Sequence, residues 1–402
     1  MTTAPEITPA PRGTITRPAW VYLASFVALG LASSLLGPAL GGLRERTGSS
    51  VGAISILFVC GSLGYLVGSV ASGRGYDRRL GHRLMAAALV VQTGALLASA
   101  WAPTLVALGC AYAVLGFAGG GVDVGGNTLL VWAKGDQSPS FLNALHLSFG
   151  AGALLAPLIV NRALAWTDGV GAAYVVVAVP GAIAAALVAT QPSPAAVVAE
   201  DHHSGGHAPR RLLAVVAVFF FLYVGVEVGF GGWVYTYAQE IRLGGRNGPA
   251  ALTAVFWGSF TLGRLLSVWI AHRLAAVALL TGSCVLAAIA ALVLVIADGA
   301  AAPVWIGTVL FGLGTAPQFA TMIAFAERHF PLTGEATSWF LGAAAAGTLA
   351  MPWLIGQLLD AHGAHAMPWA VFVAAIVTTA WFGVVRRVLA QRAGGLSEAV
   401  SH

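Results

Sequence analysis

The sequence predicts an all-α integral membrane fold: twelve transmembrane helices arranged as two six-helix halves. Three observations predict it. Of 402 residues, 58% are hydrophobic and only 9% are charged, whereas soluble globular chains carry about 25% charged residues. The apolar residues gather into stretches close to the roughly 20 residues that a spanning helix needs. A single long polar insert then divides those stretches six and six.

In order, the apolar segments run 19–41, 51–72, 83–101, 104–132, 140–162, 171–190, 212–238, 249–271, 275–297, 303–325, 335–357 and 366–386. Each is expected to be helical, because only a helix or a closed barrel satisfies its own backbone in hydrocarbon and these segments are about twice the length of a barrel strand. The 51 glycines fit helices that pack closely through small residues. The expected organisation is a tail at 1–18, a six-helix bundle at 19–190, a linker at 191–211, a second bundle at 212–386 and a tail at 387–402. The first tail is polar and Pro-rich and lacks the pattern of a cleavable signal peptide. The linker holds His202, His203 and His207, but its Pro, Gly and charge content reads as solvated chain, and no metal site is expected. Cys60, Cys110 and Cys284 all fall inside apolar stretches at spacings unlike a disulfide framework, so they read as small packing residues.

The net charge of +5 reflects topology and does not indicate nucleic-acid binding. With the N-terminus in the cytoplasm, 14 of the 20 Lys and Arg residues lie inside, 5 outside and one, Arg264, within a span. That bias predicts both termini in the cytoplasm. Abundant Ala, Gly and Arg with a single lysine, Lys134, suggest a GC-rich prokaryotic genome and hence a bacterial cytoplasmic (plasma) membrane.

The halves also resemble each other. A shift of 195 residues places Val114-Leu115 on Val309-Leu310, Gly119 on Gly314, Asp123 on Gln318, Gly152 on Gly347 and Pro157 on Pro352. Span 4 thus pairs with span 10, and span 5 with span 11. Parallel repeats of this kind hold a substrate site at their interface near the bilayer midplane.

Several polar residues stand inside the spans. Asp123 and Asn127, four apart on span 4, share a helix face, and so do Asn143 and His146 at the start of span 5. A carboxylate at such a depth costs about 2.5–3.5 kcal/mol on insertion scales, so it ordinarily faces a cavity and binds a proton, an ion or a substrate. Glu227 is a second acid, on span 7. Its partner is expected to be Arg264 on span 8, as a structural pair or one that breaks and forms as a gate. Gly231-Gly232 beyond it predicts a broken or bent span 7. Sugar hydroxyls need planar amide and carboxylate partners, and a sugar ring needs an aromatic face. The candidates are Asn127, Asn143, His146, Gln318, Trp233, Trp257 and Trp339.

The loop after span 2 carries Gly73, Asp77, Arg78, Gly81 and Arg83. It resembles the signature loop of the major facilitator superfamily, where it latches the two halves on the cytoplasmic side, although Gly81 comes one residue later than in the commonest form. The set Asp123, Asn127, Asn143, His146, Gly150 and Pro157, with Glu227, Trp233 and the Gly263-Arg264 pair, resembles the fucose–galactose–hexose symporter branch, nearest to its sodium-dependent glucose transporter group. The resemblance implies alternating access and coupling of a monosaccharide, such as glucose or a related hexose, to sodium or protons. Coupling would fall to the acids that stand inside the spans, Asp123 and then Glu227. The fucose–proton members carry a further acid in span 1, and none stands between Trp20 and Leu43 here. A two-acid proton relay is therefore not carried over.

The expected partners are a sugar and the lipid bilayer, with no organic cofactor, no nucleic acid and a monomeric state. The alternative function is proton-driven efflux of a drug or sugar, since the same acids could serve an antiporter. A membrane enzyme is disfavoured, because the sequence has no nucleotide loop, zinc spacing or nucleophile elbow.

Overall fold

Hydrocarbon leaves a backbone few options, and the computed structural model follows the one the composition requires. It describes residues 19–78, 80–167, 169–195, 209–330 and 333–400, and every regular element among them is helical. Among the described residues, eleven helices are long and apolar enough to cross a membrane, and a bent pair, taken as one span, makes a twelfth. The His202, His203 and His207 cluster and both extreme ends of the chain lie outside the described residues. Large apolar side chains such as Val106, Ile183 and Ile296 face outward from the helices, which is the arrangement that lipid stabilises.

Several spans are longer than their apolar segments. Spans 4 and 7 run Leu105–Lys134 and Arg210–Glu240. Helices of that length reach about 45 Å at 1.5 Å per residue, beyond the roughly 30 Å hydrocarbon core, so they tilt or project from it. The last helix continues to Val400, so most of the segment expected as a tail is helical backbone.

The helix breaks fall elsewhere than the glycines suggested. Span 7 is one continuous helix through Gly231 and Gly232. Those glycines serve close packing instead. A Cβ on Gly231 would meet the Trp257 ring at 2.9 Å, and one on Gly232 would meet the Phe58 ring at 2.8 Å. The break occurs in span 1, where Trp20–Ser33 and Leu36–Thr47 meet at 44°. Pro38 accounts for it: its ring clashes with the carbonyl four residues back, that of Ser34, and it offers no N–H there. Span 10 is likewise interrupted beside Pro317, between Ala301–Thr315 and Gln318–Glu327.

The repeat is visible in three dimensions. Span 1 packs on span 5, and span 7 packs on span 11. A Cβ on Gly152 would lie 2.2 Å from the Val27 carbonyl oxygen of span 1, and one on Gly347 would lie 2.2 Å from the Phe221 carbonyl oxygen of span 7. Gly30 and Gly225, also 195 apart, abut the backbones of spans 5 and 11 in turn. The shared glycines therefore mark equivalent helix crossings. Between the halves, span 1 meets span 7, span 2 meets span 11, and span 5 meets span 8.

Candidate functional site

The polar groups of spans 4, 5, 7 and 8 are positioned by glycine-mediated crossings. Gly64 and Gly68 of span 2 press on the Ala113 and Phe117 carbonyls of span 4, while Gly116 and Gly120 return the contact on Gly61 and Tyr65. This approach lets the Tyr65 hydroxyl donate a hydrogen bond to Oδ2 of Asp123. Asn127 Nδ2 donates to Oδ1 of the same carboxylate at 3.1 Å and to the Asp123 carbonyl at 2.9 Å. The half-buried Asp123 thus has both oxygens engaged by neutral donors, with no cation beside it among the described residues. Tyr65 is part of this site although it is not among the residues expected from the sequence. The available signal was the glycine stripe on its helix, which marks the face turned to span 4.

Asn143 and His146 are exposed on span 5, and His146 stands edge-on to Phe26 with ring centroids 6.1 Å apart. Arg264 of span 8 lies within electrostatic range of His146 across the boundary between the halves. Its guanidinium sits 4.6 Å over the Phe260 ring. In span 7 the Tyr223 hydroxyl donates to Oε2 of the buried Glu227. Arg264 acts electrostatically on both groups and approaches the Tyr223 hydroxyl. The expected Glu227–Arg264 partnership is therefore organised around Tyr223, with no direct ion pair within 4.0 Å among the described residues.

The tryptophans separate. Trp257 is half-buried, and its indole Nε1 is buried without a hydrogen-bond partner among the described residues. Trp339 is 42% exposed near the start of span 11. Trp233 is fully buried away from the polar face, donating Nε1 to the Pro352 carbonyl at 2.7 Å and packing on Phe58. Gln318 is also buried, 2% exposed, within the second half, and its Nε2 donates to the Gly314 carbonyl at 3.1 Å.

The two ends of the bundle differ. At the end remote from the chain termini, Asp360 of span 11 accepts from Ser50 Oγ at 3.0 Å and from the Val51 backbone N–H at 3.1 Å. Gln357 Nε2 donates to the Gly52 carbonyl at 2.7 Å and to Ser55 Oγ at 3.1 Å. Asn161 and Asn247 join spans 5 and 8 through a 2.8 Å amide contact. Nearer the middle, Thr348 reaches Ser62 at 3.2 Å. These polar contacts between the halves thus gather away from the end that carries the termini. The signature loop lies at that other end. Asp77, Arg78 and Arg83 are exposed, and neither the Asp77 nor the Arg78 side chain has a hydrogen bond or ion pair among the described residues. Gly73 has nothing near a notional Cβ, whereas Gly81 adopts a φ of +53° against Ser193, which accepts from the His82 N–H at 2.7 Å. The two halves are thus joined by polar contacts at the end remote from the signature loop.

Residues 22–340 match the sequence profile described as the Major Facilitator Superfamily. The chain belongs to this superfamily. It is a multi-pass secondary transporter and not an enzyme. It is similar to "Sodium-dependent glucose transporter 1" of Rattus norvegicus, with 31% identity over 92% of this chain and 84% of the rat protein. The Xenopus laevis protein of the same name is 28% identical over 82% of this chain and 73% of its own length. Among solved structures, a mutant of the nucleoside transporter NupG superposes with a TM-score of 0.76 at 14% identity, covering 91% of this chain and 98% of that one. A bacterial homologue of the human lysosomal transporter Spinster gives 0.74 at 12% identity, covering 93% and 96%. These two structures show the superfamily fold in this chain.

Proposed function

We propose that the chain is a cation-coupled symporter of a monosaccharide such as glucose or a related hexose. The observation that carries this reading is the half-buried Asp123 carboxylate, held by Tyr65 and Asn127 on a polar face that continues through Asn143, His146 and Arg264. The names of the similar vertebrate proteins support both the sugar and the ion. The chain lies in a bacterial cytoplasmic membrane with both termini inside, so the closed end faces outward and this state opens to the cytoplasm.

In the cycle, outward opening lets the ion and the sugar reach the polar face. Asp123 and Glu227 respond to the ion, and neutralising buried charge lowers the cost of passing apolar closure. Amides and His146 hold hydroxyls, while Trp257 supplies an aromatic face and its free indole N–H. Closure through the Ser50–Asp360 and Asn161–Asn247 contacts then leaves both ligands facing the cytoplasm. On reopening outward, Asp77 and Arg78 would latch the cytoplasmic end.

Binding tests the site directly. Purified protein should bind radiolabelled glucose more tightly in sodium or at altered pH than in a choline buffer. Asn127→Ala and Asn143→Ala should each weaken glucose binding about tenfold, near the 1.4 kcal/mol of one hydrogen bond. Unchanged binding in both variants would remove the amides from the site, and binding of no hexose under any condition would end the sugar reading.

A further inference from the structure

Inside the second half, behind the Tyr223–Glu227 pair, spans 7, 9, 10 and 12 line a cavity of about 10 Å3, the lower limit for one water molecule. Its polar lining is Tyr223, Thr315, Gln318, Thr378 and Thr379. The bonding of these groups is one-sided. Thr315 Oγ1 donates to the Phe311 carbonyl at 2.8 Å or Gly312 at 3.3 Å, Thr378 Oγ1 to Ala374 at 2.7 Å, and Thr379 Oγ1 to Ala375 at 2.8 Å or Cys284 at 3.2 Å. Tyr223 spends its proton on Glu227. Gln318 commits an amide proton to Gly314 and keeps its oxygen as an acceptor. All four hydroxyl protons thus have backbone or carboxylate acceptors of their own, and five oxygens remain to accept.

Five acceptor oxygens against the one remaining Gln318 N–H favour a guest that is positive. A carboxylate, Glu227, stands one hydrogen bond behind the wall. The position has meaning in the repeat too, because Gln318 is the counterpart of Asp123. The geometry points to a sodium-binding site within the second half, formed by Thr315, Gln318, Thr378, Thr379 and Tyr223, with Glu227 as its counter-charge. Hard cations take oxygen ligands in numbers of this order, and bare sodium is smaller than the water that the cavity barely admits. A proton needs no cage of neutral hydroxyls, and so small a space favours sodium over the larger potassium ion.

This assignment rests on the proposed cation coupling and deepens it by naming the ion and its place. It also gives the ion a route to the sugar. Arg264 approaches the same Tyr223 hydroxyl and acts on Glu227, so sodium and the guanidinium compete for one carboxylate. An arriving ion releases Arg264 toward His146 and the central polar face.

The test is binding of radioactive sodium to purified full-length protein, alongside sodium-dependent thermal stabilisation measured against potassium and N-methylglucamine. Thr315→Val and Thr378→Val keep side-chain shape and remove the oxygen. Each should weaken sodium binding at least tenfold, while Thr315→Ser and Thr378→Ser should stay within threefold of the unaltered protein. Unchanged sodium affinity in both valine variants overturns the site. Sodium binding lost in Asp123→Asn but kept in the valine variants moves the ion to span 4; it refutes this assignment and leaves symport standing. Absence of sodium binding in the unaltered protein refutes it as well, and proton-driven sugar uptake would then show whether the transport reading survives.

Discussion

Removing the Asp360 carboxylate should shift the carrier toward its outward-open state. Asp360 accepts from Ser50 Oγ and from the Val51 N–H, so it caps the start of span 2 from the opposite half. A hydrogen bond to a charged group contributes about 1.5–3 kcal/mol when buried, and a carboxylate at a helix N-terminus about 0.3–1 kcal/mol. Asp360 is exposed, which lowers the first figure through solvent screening. A net contribution of about 1.5 kcal/mol is reasonable, because Gln357 still holds Gly52 and Ser55. That corresponds to roughly a twelvefold change in the ratio of the two states. Asp360→Ala should show the full shift. Asp360→Asn keeps one acceptor and loses the charge, so it should show about half of it in free energy. The assay is a spin-label distance measurement between exposed Glu45→Cys and His362→Cys, on either side of the closed end, with the three native cysteines replaced by serine. A population with longer distances should grow in Asp360→Ala. Identical distance distributions in Asp360→Ala and its parent would show that the cap does not hold the gate.

Other outcomes follow from the same contacts. Asp123→Asn should abolish gradient-driven sugar uptake while preserving some exchange, as measured with tracer sugar on both sides of the membrane. Full accumulation by that variant would remove Asp123 from coupling. Tyr65→Phe deletes one of the two donors on that carboxylate and should weaken the apparent affinity for the driving ion about tenfold in uptake titrations, with normal expression. Gly152→Ala and Gly347→Ala each force a methyl group into a carbonyl oxygen 2.2 Å away, so both should lower the thermal stability of the detergent-purified protein by several degrees. Wild-type stability in either variant would contradict the proposed helix crossing.

Much of this was legible in the sequence, because lipid imposes a simple rule on composition. The twelve segments and the paired glycines at 152 and 347 follow from hydropathy and spacing alone. Asp123 and Asn127 were legible because helical spacing fixes which residues share a face. Their partner Tyr65 was not, since it depends on how closely spans 2 and 4 approach. Gly231-Gly232 looked like a helix breaker, yet tertiary packing against Trp257 and Phe58 outweighed its poor helix propensity. Pro38 was the better sign of a bend. Gln318 shows the limit of a repeat argument: the shift matched it to Asp123, but side-chain direction within the second half set its surroundings. Asp360 and Gln357 sit at a span end where polar residues usually face solvent, so their bonds to the other half carried no sequence signal.

The central claim is that an ion gradient drives a hexose through this chain. The most direct measurement is uptake of radiolabelled glucose into proteoliposomes under no gradient, an inward sodium gradient or an inward proton gradient, with galactose and fucose as competitors. Accumulation above equilibrium is expected under the sodium gradient, and Asp123→Asn should abolish it. Equilibration without accumulation under every gradient, or exit of loaded sugar driven by an inward proton gradient, would contradict the claim.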